Sequence, residues 1–174
     1  MIGAALSGAN VGDVLLMQNE TNAQVEAAQM AHKLGLKVAY AAAPFHIDAV
    51  KGVLPYLDYL FVNEVEAAQL TEAMGQDVSR LGIDNVIVTL GSDGCVWYGS
   101  NMTEGQTFAA RPVEAVDTTG AGDTFTGYVL AALDRGLSME QAIELATKAA
   151  ALMVTRHGTS DVIPDLKDIQ DHFD

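Results

Sequence analysis

Apolar and polar positions along the chain follow two alternating rhythms. Val14, Leu15, Leu16 and Met17 form an uninterrupted apolar run, which predicts a short strand buried on both faces, and residues 19–22 break it. Val25, Ala28, Ala31 and Leu34 then recur at the period of one helix face, with Gly35 closing the run. Thr21 and Gln24 have the spacing of a capping box and predict that this helix starts at Thr21. A second strand is expected over 36–40, a turn at Pro44, a helix over 47–54, a strand over 59–62 and a helix over 63–74, with a further short helix near Val78. Residues 85–90 give the clearest strand, because Val86, Ile87 and Val88 are β-branched and adjacent. Strand and helix thus alternate at least three times. That alternation predicts a mostly parallel sheet joined by right-handed crossovers, with helices on both faces.

After Leu90 the rhythm changes. Gly91-Ser92-Asp93-Gly94 reads as a turn, and residues 95–98 and 106–110 as antiparallel strands added at one edge. Phe125, Tyr128, Val129, Ala132 and Leu133 return to helical spacing until Gly136. Ser138 with Gln141 predicts a capped helix start, and Leu137 is placed to staple onto Ala142. Ile143, Ala146, Ala149, Ala150 and Met153 give that helix a small-residue packing face, ending near Arg156. A short terminal helix is expected over 165–173.

The candidate chemistry lies in Asp117-Thr-Thr-Gly-Ala-Gly-Asp123, a glycine loop that opens the helix carrying Phe125. The first amides of a helix have no partners inside it, and glycines let them close around an anion. Asp123 is a carboxylate on the first turn; it would repel a phosphate, but it can take a proton from a hydroxyl that attacks one. The plain alternative is an aspartate that stabilises the helix start after a glycine turn.

Length and charge narrow the field. At 174 residues one domain with a real core is expected, and 49% hydrophobic against 18% charged residues indicates a globular chain. Acidic residues outnumber lysine and arginine 23 to 9, for a formal charge of −14, so neither nucleic acid nor an anionic membrane is an expected partner. A bound polyphosphate must then be held by backbone amides and a divalent cation. The single cysteine, Cys95, excludes an internal disulfide and fits a cytoplasmic setting. No stretch has the apolar length of a membrane span, and His32, His46, His157 and His172 lack metal-site spacing. Gly120-Ala121-Gly122 lacks the third glycine of a dinucleotide loop, and no phosphate-binding loop ending in Gly-Lys-Ser/Thr occurs.

With these residues in view, the chain resembles the ribokinase-like (PfkB) family of carbohydrate and nucleoside kinases. Asp117 to Phe125 matches that family's second signature, Asn63-Glu64-Val65-Glu66 resembles its Asn-x-x-Glu motif, Thr89 to Gly94 its nucleotide loop, and Val154 to Gly158 the segment after its last long helix. The resemblance implies an α/β ribokinase-like fold over residues 1–174, forming the C-terminal, ATP-binding portion of a single domain. It further implies that Asp123 is the catalytic base and that Gly120, Ala121 and Gly122 form the anion hole for the γ-phosphate. Thr89, Gly91, Ser92, Asp93 and Gly94 would wrap the ATP phosphates and ribose, with Gly122 and Thr147 also on the nucleotide. Asn63 and Glu66 would act on Mg²⁺ through bound water. Asp117 and Thr119, with the carbonyls of Met153, Arg156 and Gly158, would hold K⁺.

Each assignment has a plainer reading from the residues alone. Asn63 is a helix N-cap and Glu66 a solvated glutamate, 89–94 an ordinary turn, Thr147 a threonine bonding back to its own helix, and Asp117 with Thr119 a pair of turn-stabilising side chains. The chain also departs from the family. Ala41, Ala42 and Ala43 stand where ribokinase-like members carry an asparagine before the proline matching Pro44, and Val162 occupies the position of a cation-site serine. The N-terminal section with the Gly-Gly signature, most sugar contacts and the lid strands is not found. The expectation is therefore an incomplete ribokinase-like fold whose substrate is a small sugar or nucleoside. Its exposed sheet face would be open to self-association, and the alternative function is a truncated, non-catalytic nucleotide-binding or assembly module.

Overall fold

The computed structural model describes residues 2–173. The chain folds as two compact units, Met1–Leu90 with Val96–Thr107, and Gly91–Cys95 with Phe108–Asp174.

Along the chain a short helix α1 (Ile2–Leu6) is followed by β1 (Val14–Gln18), α2 (Gln24–Lys33), β2 (Lys37–Ala41), α3 (Ile47–Val53), β3 (Tyr59–Asn63), α4 (Glu64–Met74) and β4 (Asn85–Thr89), all in the first unit, and then by β5 (Cys95–Gly99) and β6 (Gln106–Phe108), whose end residues Cys95 and Phe108 fall in the second. The strands form one six-stranded sheet in the order β1-β2-β3-β4-β5-β6. The first four run parallel, with Leu15 opposite Val38, Tyr40 opposite Leu60, and Leu60 opposite Val86. A connection as short as residues 90–94 cannot make a parallel crossover, so β5 returns antiparallel to β4 and the sheet is mixed.

Period-two alternation fixes one face of this sheet. Val38 and Tyr40 of β2, Leu60 and Val62 of β3, and Val86 and Val88 of β4 are buried in one cluster with residues of the flanking helices: Ala28 and Ala31 of α2, Val50 and Val53 of α3, and Ala67 and Leu70 of α4. Full burial of each valine or leucine among them stabilises the unit by about 1.5–3 kcal/mol. At the N-terminal end of the sheet Asp58 accepts the Val38 amide at 2.9 Å and pairs with Lys37, which raises the ammonium's affinity for its proton.

The alternation of strands and helices matches the sequence expectation, and one helix start does not. Helix α2 begins at Gln24 after Ala23, whose backbone is left-handed at φ 66° and supplies no side-chain cap. Thr21 therefore caps nothing. The Gln24 side-chain amide is used elsewhere, donating to the Gln18 carbonyl at 3.3 Å and to Asn19 Oδ1 at 3.1 Å, which ties the helix start to the end of β1. Asn19 in turn donates to the Pro44 carbonyl at 2.8 Å. These bonds set where the chain can turn, and they override a local capping preference.

In the second unit α5 (Ala121–Asp134) and α6 (Met139–Met153) pack along each other, followed by α7 (Leu166–Phe173). Ser138 caps α6 in a reciprocal box with Gln141, as its spacing predicts. Ala149 and Leu152 of α6 bury Ile169 of α7, with Tyr128 and Phe173 beside them. The Tyr128 hydroxyl donates to the Pro164 carbonyl, and Arg156 pairs with Asp168 at 3.1 Å, so α7 is held by both apolar and polar contacts.

Candidate active site

In the second unit the glycine loop opens α5 as expected. Gly120 is the N-cap, left-handed at φ 78°, and a Cβ there would lie 2.9 Å from Met153 Cε, so both backbone and space call for glycine. The first bond into the helix runs from the Thr124 amide to the Gly120 carbonyl at 2.9 Å. The amides of Ala121, Gly122 and Asp123 thus precede the helical ladder. That of Ala121 donates to the Thr118 carbonyl at 3.2 Å and closes a tight turn, whereas Gly122 and Asp123 follow on the exposed first turn. The positive end of α5 thus lies at this exposed first turn.

Asp123 is exposed. With Gly127, Tyr128, Ala131, Arg135 and Lys167 it lines an open groove of about 890 Å³ contained within the second unit. Arg135 and Lys167 were not singled out in the sequence; in a chain of 9 basic residues against 23 acidic ones, nothing local marks them.

The flanks of the loop are tied down. The Val154 carbonyl accepts the amides of Val116 at 2.7 Å and Asp117 at 3.1 Å. The Asp117 carboxylate accepts the Thr119 amide at 2.9 Å. Hydrogen bonds from the Thr119 amide and hydroxyl, then from the Gly158 amide, with the nearby His157, hold this carboxyl below its usual range. Asp117 and Thr119 thus brace a turn, as the plain reading has it. The Met153 carbonyl accepts the Arg156 amide at 3.0 Å, and the Arg156 guanidinium donates to the Val162 carbonyl at 3.3 Å and to Asp168. Gly158 has φ 132°, and a Cβ on it would sit 2.9 Å from Asp161 Oδ1. Among the described residues no group of three or more histidine, cysteine, aspartate or glutamate side chains is arranged to hold a metal. Carboxylate and carbonyl oxygens, the atoms that Asp117 and the Met153, Arg156 and Gly158 backbones would supply, suit a hard cation bound through oxygen.

Also in this unit, Gly91–Asp93 forms a single 3₁₀ turn with Ser92 and Asp93 exposed. Gly94, at φ 99°, approaches the next strand so closely that a Cβ would fall 1.9 Å from the Phe108 carbonyl. Thr147 is buried on α6 and its hydroxyl donates to the Ile143 carbonyl at 2.8 Å, the back-bonded arrangement of a helical threonine.

The first unit holds Asn63, Glu66 and Thr89. Asn63 and Thr89 are register partners at the C-terminal ends of β3 and β4, the end of a parallel sheet where ligands bind. Asn63 caps α4: its side chain accepts the Glu66 amide at 2.9 Å, while Glu66 Oε2 accepts the Asn63 amide at 2.8 Å. Glu66 is half-buried, not freely solvated, and burial raises its carboxyl above the usual range against the opposing pull of the Asn63 amide.

Comparison with known proteins adds to this geometry. A family model described as pfkB family carbohydrate kinase matches residues 6–166. The ribokinase of Schizosaccharomyces pombe is 35% identical over 92% of this chain and 55% of its own length. Among solved structures, ribokinase from Thermotoga maritima matches with a TM-score of 0.79 and 35% identity, covering 91% of this chain and 56% of that one. Arabidopsis thaliana ribokinase complexed with ribose and ATP matches with a TM-score of 0.80 and 30% identity, covering 91% and 55%. The chain spans about half the length of the relatives it matches.

Proposed function

Because the chain belongs to the pfkB family of carbohydrate kinases, we propose that it provides the nucleotide-binding side of a kinase that moves the γ-phosphoryl group of ATP onto a hydroxyl of a sugar or nucleoside. The observation that carries this reading is the placing of Asp123, an exposed acid on the first turn of a glycine-started helix and at the wall of a groove.

In this reading the acceptor oxygen attacks the γ-phosphorus, the bond from that phosphorus to the bridging oxygen breaks, ADP leaves, and the hydroxyl proton passes to the Asp123 carboxylate. The amides of Gly122 and Asp123 face the charge on the migrating group, with Gly120 setting the turn and Ala121 closing it onto Thr118. Within the second unit, Gly91, Ser92, Asp93 and Gly94 would line the rest of the nucleotide, with Thr147 toward its base.

Mg²⁺ would neutralise the phosphates that a chain of charge −14 otherwise repels. Asn63 and Glu66 suit an outer role toward it: the cap occupies Glu66 Oε2, and contact through bound water requires only the other carboxylate oxygen. Asp117, Thr119 and the carbonyls of Met153, Arg156 and Gly158 are the residues that would hold K⁺. Among the described residues no helix is long and apolar enough to cross a membrane, and a cytoplasmic setting would supply the ATP.

A second reading is a nucleotide-binding or assembly module without activity of its own. Measuring ADP release by the purified chain over a panel of sugars and nucleosides separates the two. Release that depends on an acceptor supports the kinase. Saturable Mg·ATP binding with no acceptor-dependent release supports the module.

A further inference from the structure

The catalytic loop is held from both ends by two consecutive residues at the end of α6. Upstream, the Val154 carbonyl accepts the Val116 and Asp117 amides. Downstream, the buried Thr124 hydroxyl donates to the sulfur of buried Met153, twenty-nine residues away in sequence. Between these anchors the Met153 methyl group forms the floor under Gly120, so close that a single added carbon would meet it at 2.9 Å. Thr124 is also the first residue to bond into the helix, through its amide to the Gly120 carbonyl. The Met153 side chain therefore touches both the N-cap of α5 and the residue that begins its ladder, and Gly122 and Asp123 lie between those two contacts.

We propose that Met153 and Thr124 are positioning residues: their contact sets the height and angle of the first turn of α5, and with it the aim of the Gly122 and Asp123 amides and of the Asp123 carboxylate. The catalytic consequence rests on the kinase reading above, whereas the positioning itself does not. A thioether suits this place because it is unbranched, fits an irregular gap and offers sulfur as a weak acceptor to a hydroxyl that burial would otherwise leave unpaired. Displacement of a reacting group by about 1 Å can cost on the order of 10²-fold in rate.

The test uses the whole chain and three variants. Met153→Ala removes the floor, Thr124→Val removes the hydroxyl at constant shape, and Thr124→Ser keeps the hydroxyl. Amide hydrogen exchange without ligand is expected to speed up by ~10-fold or more at the bonded amides of Asp117, Thr119, Ala121 and Thr124 in Met153→Ala and Thr124→Val, with the first half of α6 still protected and Thr124→Ser close to the parent. If acceptor-dependent ADP release is measurable, kcat falls ~10-fold or more in the first two variants while KM for ATP stays within ~2-fold, and Thr124→Ser restores it. Exchange at those amides that stays at the parent rate in Thr124→Val overturns the proposal. So does exchange that rises equally throughout α6, which would mark a general loss of packing. Should Met153→Ala fail to fold, the Thr124 pair decides alone. Absence of ADP release from the parent chain counts against the kinase reading and leaves the exchange result to judge the positioning.

Discussion

Two buried polar groups show how single residues settle questions that composition leaves open. The Tyr40 hydroxyl lies inside the first unit's core with no hydrogen-bond partner among the described residues, and burial raises its pKa. An unpartnered buried hydroxyl costs about 1–3 kcal/mol, so Tyr40→Phe is expected to stabilise the chain by roughly 1 kcal/mol, read as a higher denaturation midpoint at unchanged m-value. A lower midpoint would mean that the hydroxyl does have a partner. Cys95 is buried, which pushes its thiol up to about 12. Its folded pKa lies above the unfolded value, so the neutral thiol's contribution to stability is complete below about pH 8.5 and is lost as pH rises toward 12. Cys95→Ala is expected to flatten the fall in stability over that alkaline window, measured by denaturant titration at several pH values. The thiol should also resist alkylation at pH 8 until the chain unfolds.

At the scale of elements, local pattern succeeded where the cause was local. The β-branched run of β4 and the Ser138 and Asn63 caps were legible because strand propensity and capping act over a few residues. Asn63→Ala should accordingly cost about 0.5–2 kcal/mol, and thermal unfolding checks it. The failed cap at Thr21 and the bonding of Ala121 to Thr118 have tertiary or turn-closing causes that spacing does not encode. The floor that Met153 lays under Gly120 joins two helices and was invisible for the same reason. Gly94 combines both cases: its turn was legible, but not that the chain entering β5 passes so close to the end of β6 that a Cβ would fall 1.9 Å from the Phe108 carbonyl. Gly94→Ala is therefore expected to displace that strand pair and lower the melting temperature by several degrees or prevent folding. A melting temperature equal to the parent's would show that the strands yield.

For the molecule as a whole, the sequence disclosed the parallel αβ order and the signature loop, and family membership follows from a match over residues 6–166. The acceptor of the proposed kinase was not legible, because the motifs found in the sequence all fall on the nucleotide, metal and anion-hole side of that proposal. The chain's charge of −14 sets a general expectation: ATP affinity should fall by ~10-fold or more when Mg²⁺ is chelated, since 23 acidic residues against 9 basic ones leave the phosphates poorly neutralised without the metal. The central claim concerns Asp123, and acceptor-dependent ADP release by the parent chain and by Asp123→Asn, with ATP affinity measured alongside, tests it most directly. Release from the parent, a loss of ~10²–10⁴-fold in the variant and ATP affinity unchanged within ~2-fold are expected if Asp123 is the base. No release from the parent, or a variant as fast as the parent, would contradict it.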